Sequence, residues 1–481
     1  MKSITLIALI LLMHVDVYSQ SLKVSQNGRF LENKNGTPFL WIGDTAWELF
    51  HKLDREEANE YLAKRKKQGF TLIQAVVLAE NDGLRTPNSY GVTPLINMNP
   101  EKPNESYFEH VDYIVKKAND LSMVVGMLPT WGDKVFSLHP GTGPIVFNIE
   151  NAEKYGEYLG NRYKEYNLIW ILGGDRDIAN EEVLNIWRAM EKGLKKGDGG
   201  NHLITFHPRG GSSSSNALHN EPWLDFNMYQ SGHGQKFNPV YNWAETDYLK
   251  TPTKPFVDGE PAYEGIPIKF WEFCDFSTAK KVPNEVLDKY GIIEDSTYFK
   301  KGFFTDYDVR IHAYWNFISG ACGYTYGNNA VWQMFKKGGN ISIPCTADWR
   351  ESLNHRGANQ LIYLKNLFES HSIANLIPDQ SIIYGLNPKD AQHIRAAKST
   401  NGQWVIVYLA KGQKVSVVMR KILNDTITAY WYNPRDGTVA AIGEFSNKGI
   451  KAFSPPTAGM NNDWVLVLDS KSAKIQIPKN Q

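Results

Sequence analysis

Two acidic side chains follow strongly apolar stretches of the sequence. Asp175 ends the run 168–175, whose last residues read Gly-Gly-Asp, and Glu260 ends the run 255–260. An apolar run that stops at glycine and a carboxylate is typical of a buried parallel strand that delivers an acid to the C-terminal edge of a sheet. Two carboxylates at one edge can cleave a glycosidic bond, because one protonates the leaving oxygen while the other attacks the sugar carbon or directs water at it. Either acid alone is weakly specific, since Asp often caps a following helix.

The surrounding segments predict how these two acids meet. Strands are predicted at 39–47, 71–78, 123–131, 168–175, 202–208, 225–233, 255–260 and 320–327, and helices at 54–68, 106–121, 149–165, 180–195, 305–319 and 356–370. This α/β alternation is the signature of a (β/α)8 TIM barrel, for which we set the bounds 21–372. Asp175 then ends strand four and Glu260 ends strand seven, so both lie at the catalytic face. The loops 79–105 and 266–303 are predicted at the same face, and the serine-rich tract 210–215 is predicted to lie over the site.

Further side chains at predicted strand ends are candidates for binding a sugar. Aromatic rings offer stacking faces, and carboxylates, amides and imidazoles hold hydroxyl groups. The candidates are Asp44, Trp47, Trp131, His207, Tyr229, Gln230, Tyr326 and Trp332. Each could instead pack the barrel mouth. Asp177 is a rival acid and Glu264 a rival nucleophile, and Arg176 is expected to form a salt bridge with Asp177.

The N-terminal and C-terminal segments of the sequence differ from the barrel region in composition. Residues 1–20 have a short basic start, an apolar run too short to span a bilayer and small residues near Ser19, which predicts a signal peptide cut after Ser19 or Gln20. We therefore expect an exported protein, periplasmic or secreted, with no membrane span. Residues 373–481 contain short apolar strands separated by Pro and Gly turns, which predicts an accessory antiparallel β-sandwich domain.

Charge and cysteine content exclude several classes of function. Lys and Arg number 52 against 51 Asp and Glu, a net charge of +1, so nucleic acid is not an expected partner. Cys274, Cys322 and Cys345 argue against a disulfide scaffold, although one bridge remains open. A metal hydrolase is a rival reading, because His207 and His233 end strands five and six. However, strand one has no His-x-His pair to complete a ligand set, so we expect no metal and no cofactor.

Five motifs resemble one family of glycoside hydrolases. They are Trp-Ile-Gly-Asp-Thr-Ala-Trp at 41–47, Trp-Ile-Leu-Gly-Gly-Asp-Arg-Asp at 170–177, Phe-His-Pro-Arg-Gly at 206–210, Asp-Gly-Glu-Pro-Ala-Tyr-Glu at 258–264, and Gly-Tyr-Thr-Tyr-Gly at 323–327 with Val-Trp-Gln at 331–333. Together they are similar to the apiosidase-like family, which includes glycoside hydrolase family 140. The resemblance covers about residues 22–370, and the C-terminal segment resembles the collagen-binding domain that accompanies this family.

The resemblance implies a retaining clan A enzyme with Glu260 as nucleophile and Asp175 as acid/base. It also implies action on apiose-containing side chains of the pectin rhamnogalacturonan II. Most clan A enzymes have Asn-Glu at the end of strand four, whereas this chain has Gly174 and Asp175. The alternatives are a glycosidase of different sugar specificity and a non-catalytic carbohydrate or matrix binder. The expected partner is an oligosaccharide or polysaccharide, and a monomer is favoured.

Overall fold

A computed structural model describes residues 22–137, 143–272, 301–339, 341–423 and 426–476. The predicted signal peptide, Cys274 and most of the predicted loop 266–303 lie outside the described residues. Cys322 is a buried free thiol that donates to the Phe256 carbonyl oxygen over 3.4 Å. The thiol of Cys345 donates to the carbonyl oxygen of Ile343 over 3.2 Å.

The barrel predicted from the sequence is confirmed. A small antiparallel lead, β1 Lys23–Val24, β2 Leu31–Glu32 and β3 Pro38–Phe39, precedes it. The eight barrel strands are β4 Trp41–Thr45, β5 Leu72–Leu78, β6 Val124–Thr130, β7 Leu168–Gly173, β8 Ile204–His207, β10 Asn227–Gln230, β11 Phe256–Asp258 and β12 Gly323–Tyr326, and the short β9 Ser212–Ser213 adds to β10. Their order is β8-β7-β6-β5-β4-β12-β11-β10-β9. Between β8 and β10 the backbone N–H of Asp225 donates to Ile204 and the Thr205 hydroxyl donates to Phe226, which nearly closes the barrel.

Helices surround this sheet. They are α1 Leu49–Lys52, α2 Arg55–Lys67, α3 Glu105–Asp120, α4 Ile149–Tyr163, α5 Glu181–Asp198, α6 Val240–Tyr248, α7 Asp306–Ile318, α8 Asn329–Trp332, α9 Trp349–Ser352 and α10 Arg356–Ser370. Local signals explain several ends: Asp54 and Glu57 form a capping box on α2, Asn180 caps α5, and Gly199 ends α5 at φ 72°. The predicted helices are confirmed within a few residues, whereas β9 and the helices α1, α6, α8 and α9 were not predicted. None of the helices in the described ranges is long and apolar enough to cross a membrane.

The C-terminal domain is antiparallel, as predicted. A six-stranded sheet has the order β13-β14-β15-β20-β17-β18, and β16 pairs with β19 in a second sheet. The strands are β13 Leu376–Pro378, β14 Ile394–Ser399, β15 Trp404–Leu409, β16 Val415–Val418, β17 Thr426–Tyr432, β18 Val439–Ser446, β19 Ile450–Phe453 and β20 Trp464–Ser470. Side chains of both sheets, including Val407, Val417 and Phe453, share one buried core.

The two domains meet along α7. Arg310 on this helix forms a two-pronged ion pair with Asp463, with both N–O distances at 3.0 Å. One turn further on, Tyr314 stacks on Tyr408 with ring centroids 4.8 Å apart. All four side chains are buried, so the interface is continuous with the barrel core.

Candidate active site

The Gly-Gly-Asp turn after β7 places Asp175 at the catalytic face. Gly173, Gly174 and Asp175 have φ values of 85°, 113° and 53°, a conformation that favours glycine. A Cβ on Gly174 would lie 2.8 Å from the Trp131 ring, and one on Gly173 would lie 2.3 Å from the carbonyl oxygen of His207. The chain therefore needs both glycines to turn between its neighbours and present the acid. The same close contact with Trp131 excludes the asparagine that most clan A enzymes have here.

Glu260 lies between two imidazoles at the end of β11. Nε2 of His207 is 3.1 Å from one carboxylate oxygen and Nε2 of His233 is 3.2 Å from the other. The backbone N–H groups of Asp175 and Tyr263 lie 3.4 Å from Nδ1 of His207 and His233 respectively. Because Nδ1 accepts in each ring, we assign the proton to Nε2. His233 therefore donates to Oε1 of Glu260, whereas Nε2 of His207 contacts Oε2 at 3.1 Å without hydrogen-bond geometry.

The two carboxyl groups have pKa values displaced in opposite directions. Burial acts to raise the pKa of Glu260, but the imidazoles of His207 and His233 lower it to about 2. The pKa of Asp175 is raised, first because the surrounding protein displaces water and then because Glu260 is negatively charged, although Arg176 and His207 oppose the shift. The Asp175 side chain remains 39% exposed, so it can reach a bound substrate. One carboxyl group is thus held as an anion and the other is biased towards its protonated form.

An aromatic cluster surrounds Glu260 and includes three of the predicted binding residues. The Trp47 ring lies 5.2 Å from Trp131 and 5.4 Å from His207. Nε1 of Trp47 donates to the Tyr263 hydroxyl over 2.8 Å. Burial raises the pKa of Tyr263 well above its usual value, so this phenol stays protonated beside Glu260. The structure brings Trp47, Trp131 and His207 together as the sequence predicts.

Gln230 also lies near the site. The backbone N–H of Gly210 donates to Oδ1 of Asp175 over 3.3 Å, and a Cβ on Gly210 would be 3.7 Å from Nε2 of Gln230. Gln230 is buried, and its Oε1 has no hydrogen-bond partner within the described residues. Its amide therefore lies beside the loop that holds the acid, and its binding role stays a prediction.

Asp44 does not join this group, which corrects the prediction that it binds sugar. Its side chain is 0% exposed and accepts hydrogen bonds from the Tyr61 hydroxyl and from Nε of Arg65, each at 2.6 Å. Both partners belong to α2. The carboxylate therefore joins β4 to the helix layer and is not available to a substrate.

Three aromatic candidates are also structural in this arrangement. Tyr229 stacks on Trp243 and donates to Asn316, so it faces the helix layer while the adjacent Gln230 does not. The Tyr326 hydroxyl donates to Glu264 over 2.7 Å. Trp332 is buried in the main core, and its Nε1 donates to Asn329 over 3.3 Å. The prediction that Tyr229, Tyr326 and Trp332 contact sugar is therefore not supported by their placement.

Neither rival acid has the surroundings of a catalytic group. The carboxylate of Glu264 is buried and accepts from Tyr326 and from the backbone N–H of Gly357 at the start of α10. Asp177 pairs with Arg209 over 2.6 Å. The expected Arg176–Asp177 salt bridge is wrong, because Nη1 of Arg176 donates instead to the backbone carbonyl of Asp175 over 2.8 Å.

Other residues at the site were missed or given another role. His233 was considered only as a metal ligand, yet it contacts Glu260, and Tyr263 was quoted only as part of a motif. Glu80, two residues after the end of β5, has its pKa raised to about 8, first by burial and then by Asp175 and Asp133. Its position after a strand end was the signal that could have identified it. Within the described residues, no three His, Cys, Asp or Glu side chains are grouped to hold a metal ion.

Comparisons with known proteins show which family the chain belongs to. The family profile described as "Apiosidase-like, catalytic domain" matches residues 25–375, and "Putative collagen-binding domain of a collagenase" matches residues 377–469. A solved structure titled "Glycoside hydrolase" is 32% identical, with a TM-score of 0.80 over 94% of this chain and 97% of that one. A glycoside hydrolase family 5 structure from Bacteroides vulgatus ATCC 8482 is 30% identical, with a TM-score of 0.81 over 96% of each chain. The search of curated proteins found no match. The chain is a glycoside hydrolase that belongs to the apiosidase-like family.

Proposed function

We propose that this glycoside hydrolase removes apiose from side chains of rhamnogalacturonan II with retention of anomeric configuration. The observation that carries the mechanism is the opposite displacement of two pKa values, downward to about 2 for Glu260 and upward for Asp175. Glu260 is the nucleophile and Asp175 is the acid/base. The family profile and the Gly-Gly-Asp turn, which replaces the usual Asn-Glu, support a sugar other than the pyranoses of the wider clan.

In the first step the Glu260 carboxylate attacks the anomeric carbon while Asp175 transfers its proton to the glycosidic oxygen. The bond to the leaving group breaks and a glycosyl ester forms on Glu260. The ester carries no charge, so the repulsion that raised the pKa of Asp175 disappears. Asp175 can then act as a base, taking a proton from the water that hydrolyses the ester.

The two histidines and Tyr263 position the nucleophile. A carboxylate that accepts from His233 on one oxygen and contacts His207 at 3.1 Å with the other cannot rotate freely, so it is oriented before the substrate binds. The buried rings of Trp47 and Trp131 form the wall next to these groups and exclude water from the anomeric carbon.

Replacing the two acids tests this assignment. We expect Glu260→Gln to abolish turnover of rhamnogalacturonan II oligosaccharides and of 4-nitrophenyl apioside. Asp175→Asn should be milder on the nitrophenyl substrate, whose leaving group needs little protonation. Glu264→Gln is the matched control, because this buried carboxylate serves α10 and should leave turnover intact in folded protein. Full activity in either acid variant would contradict the roles.

Two further measurements test the stereochemistry and the sugar. Proton NMR of the first product should show the anomer of the substrate, whereas the opposite anomer would refute a nucleophilic Glu260. Analysis of released monosaccharides from pectic oligosaccharides should show apiose, and release of a different sugar would refute the substrate assignment alone. We also propose that the protein is exported as a monomer, which signal-peptide mapping on the secreted protein and its mass in solution would check.

A further inference from the structure

Glu80 follows the end of β5 at the catalytic face, and the reaction mechanism gives it no role. Backbone hydrogen bonds join the ends of the adjacent strands β5, β6 and β7 in a row. The N–H of Trp131, which follows β6, donates to the carbonyl oxygen of the last residue of β5 over 3.1 Å, and the N–H of Gly132 donates to Gly174 over 3.1 Å. Glu80 and Asp175 therefore lie on either side of the two residues that follow β6.

The same strand faces the nucleophile across the barrel. Gln74 lies on β5, before Glu80 in the sequence, and its Nε2 donates to the carbonyl oxygen of Gly259 over 2.9 Å. Gly259 immediately precedes Glu260. The C-terminal end of β5 therefore borders the space between Asp175 and Glu260, where a substrate must lie if both acids are to reach its glycosidic bond.

Buried contacts fix the backbone at Glu80. The Lys134 ammonium group donates to the carbonyl oxygen of Glu80 over 3.4 Å and to that of the preceding residue over 2.6 Å. The same ammonium group pairs with Asp133 at 2.8 Å, and both of these side chains are buried. On the other side, the Asn81 amide donates to Oε1 of Glu48 over 3.2 Å. The position of Glu80 is thus set before a ligand binds.

The Glu80 carboxyl group is unpaired within the described ranges. Its side chain is partly buried, yet no hydrogen bond or ion pair joins it to another described side chain. The neighbouring acids differ in this respect, since Glu48 pairs with His51 at 2.7 Å and Asp133 pairs with Lys134. Because polar groups removed from water are normally hydrogen-bonded within the protein, the Glu80 carboxyl group is the one that is available to a ligand.

The charge state of Glu80 adds a hydrogen-bond donor to this group. Burial raises its pKa to about 8, and the negative charges of Asp175 and Asp133 add to the rise, whereas the cations of Arg176 and Lys134 oppose it. At neutral pH the carboxyl group is therefore protonated. A protonated carboxyl group has an O–H donor and a carbonyl acceptor, so it can both donate to a sugar hydroxyl group and accept from one.

We propose that Glu80 is a specificity-determining residue that binds a hydroxyl group of the sugar transferred to Glu260. The inference rests on the proposed roles of Asp175 and Glu260, because these roles place the reacting sugar in the space that the end of β5 borders. A sugar without the matching hydroxyl group leaves the carboxyl group of Glu80 unpaired, so the site discriminates against it.

Analogues of 4-nitrophenyl apioside that each lack one hydroxyl group test this role. Glu80→Ala should lower kcat/KM by about tenfold or more on the parent substrate, but by less than about twofold on the analogue that lacks the bound hydroxyl group. Glu80→Gln retains a donor and an acceptor, so it should stay within about threefold of the wild type on the parent. Glu101→Gln is the matched control, an exposed acid between β5 and α3 that pairs with Lys154, and it should change nothing. An equal loss on every analogue, or equal losses in Glu80→Ala and Glu80→Gln, would overturn the proposal.

Two further measurements separate this role from a structural role and from the choice of sugar. Because no side chain in the described part of the chain pairs with Glu80, Glu80→Ala should not lower the midpoint of chemical denaturation, and a lowered midpoint would refute the binding role. If the wild type cleaves no apioside, the apiose assignment fails, but Glu80 can still be examined. Crystals of Glu260→Gln soaked with a mixture of pectic oligosaccharides should show a sugar hydroxyl group hydrogen-bonded to Glu80. Sugar that leaves Glu80 unpaired, or no bound sugar, would also refute the role.

Discussion

Removing one of the two imidazoles at Glu260 should move the acid limb of the pH profile. In the wild type, the pKa of Glu260 is about 2 because the imidazoles of His207 and His233 outweigh the effect of burial. His233→Ala removes the donor 3.2 Å from Oε1. The remaining burial favours the neutral acid, so the pKa of Glu260 rises and the nucleophile becomes protonated at a higher pH.

The size of the shift follows from the strength of one hydrogen bond to a charged group. Such a bond contributes about 1.5–3 kcal/mol, and about 1.4 kcal/mol corresponds to one pKa unit. We therefore expect the acid limb of kcat/KM to rise by about one to two pH units. Because its pKa is lower in the folded protein, the Glu260 carboxylate also stabilises the fold. This stabilisation is fully present above about pH 4.5 and is lost as the pH falls towards 2.

The assay is a profile of kcat/KM on 4-nitrophenyl apioside from pH 2.5 to 7, with short incubations and a return to pH 6 to measure irreversible loss. His233→Asn is the matched variant, because its amide retains an N–H donor and should move the limb less. Stability profiles of the same variants would separate unfolding from titration. An acid limb that stays in place while kcat falls equally at every pH would refute the proposed control of the Glu260 pKa by His233.

Two other perturbations test the acid and the domain interface. The Arg176 cation, whose Nη1 is 3.7 Å from Asp175, lowers the pKa of that acid. Arg176→Met should therefore raise the pKa of Asp175 and move the alkaline limb to higher pH in the same assay. An unmoved limb would contradict this coupling. Asp463→Ala removes the two-pronged partner of the buried Arg310 guanidinium, which keeps only Asp306, and should cost about 3–5 kcal/mol in chemical denaturation. Glu444→Ala, which breaks an exposed pair with Lys471, should cost less than about 1 kcal/mol, and equal losses in the two variants would argue against a supporting interface.

The fold was predictable because its signals are local and repeated. Apolar strands alternate with amphipathic helices, and caps such as Asp54 and Asn180 mark where helices begin. In a parallel barrel every strand ends at the same face, so residues at the ends of different strands lie near one another. For this reason Asp175 and Glu260 could be placed together although 85 positions separate them in the sequence.

The binding residues were harder to predict because a strand end has two faces. Tyr229 and Gln230 are adjacent on β10, so only one of them can face the site, and the sequence pattern did not decide which. Asp44 was misassigned because its partner Arg65 lies on the next helix, a contact that strand position alone does not reveal. The link from His233 to Glu260 depends on how two loops approach each other, and no local spacing records that approach.

The C-terminal domain supports the nucleophile through one helix. Arg310 and Tyr314 fix α7 against this domain, and Asn316 on the same helix donates to Asp258 over 3.1 Å. Asp258 ends β11, two residues before Glu260. We infer that removal of the domain would expose a buried cation and loosen the strand that presents the nucleophile. A glycan-binding role of the domain would add to this support without replacing it, because the face that holds α7 is already buried against the barrel.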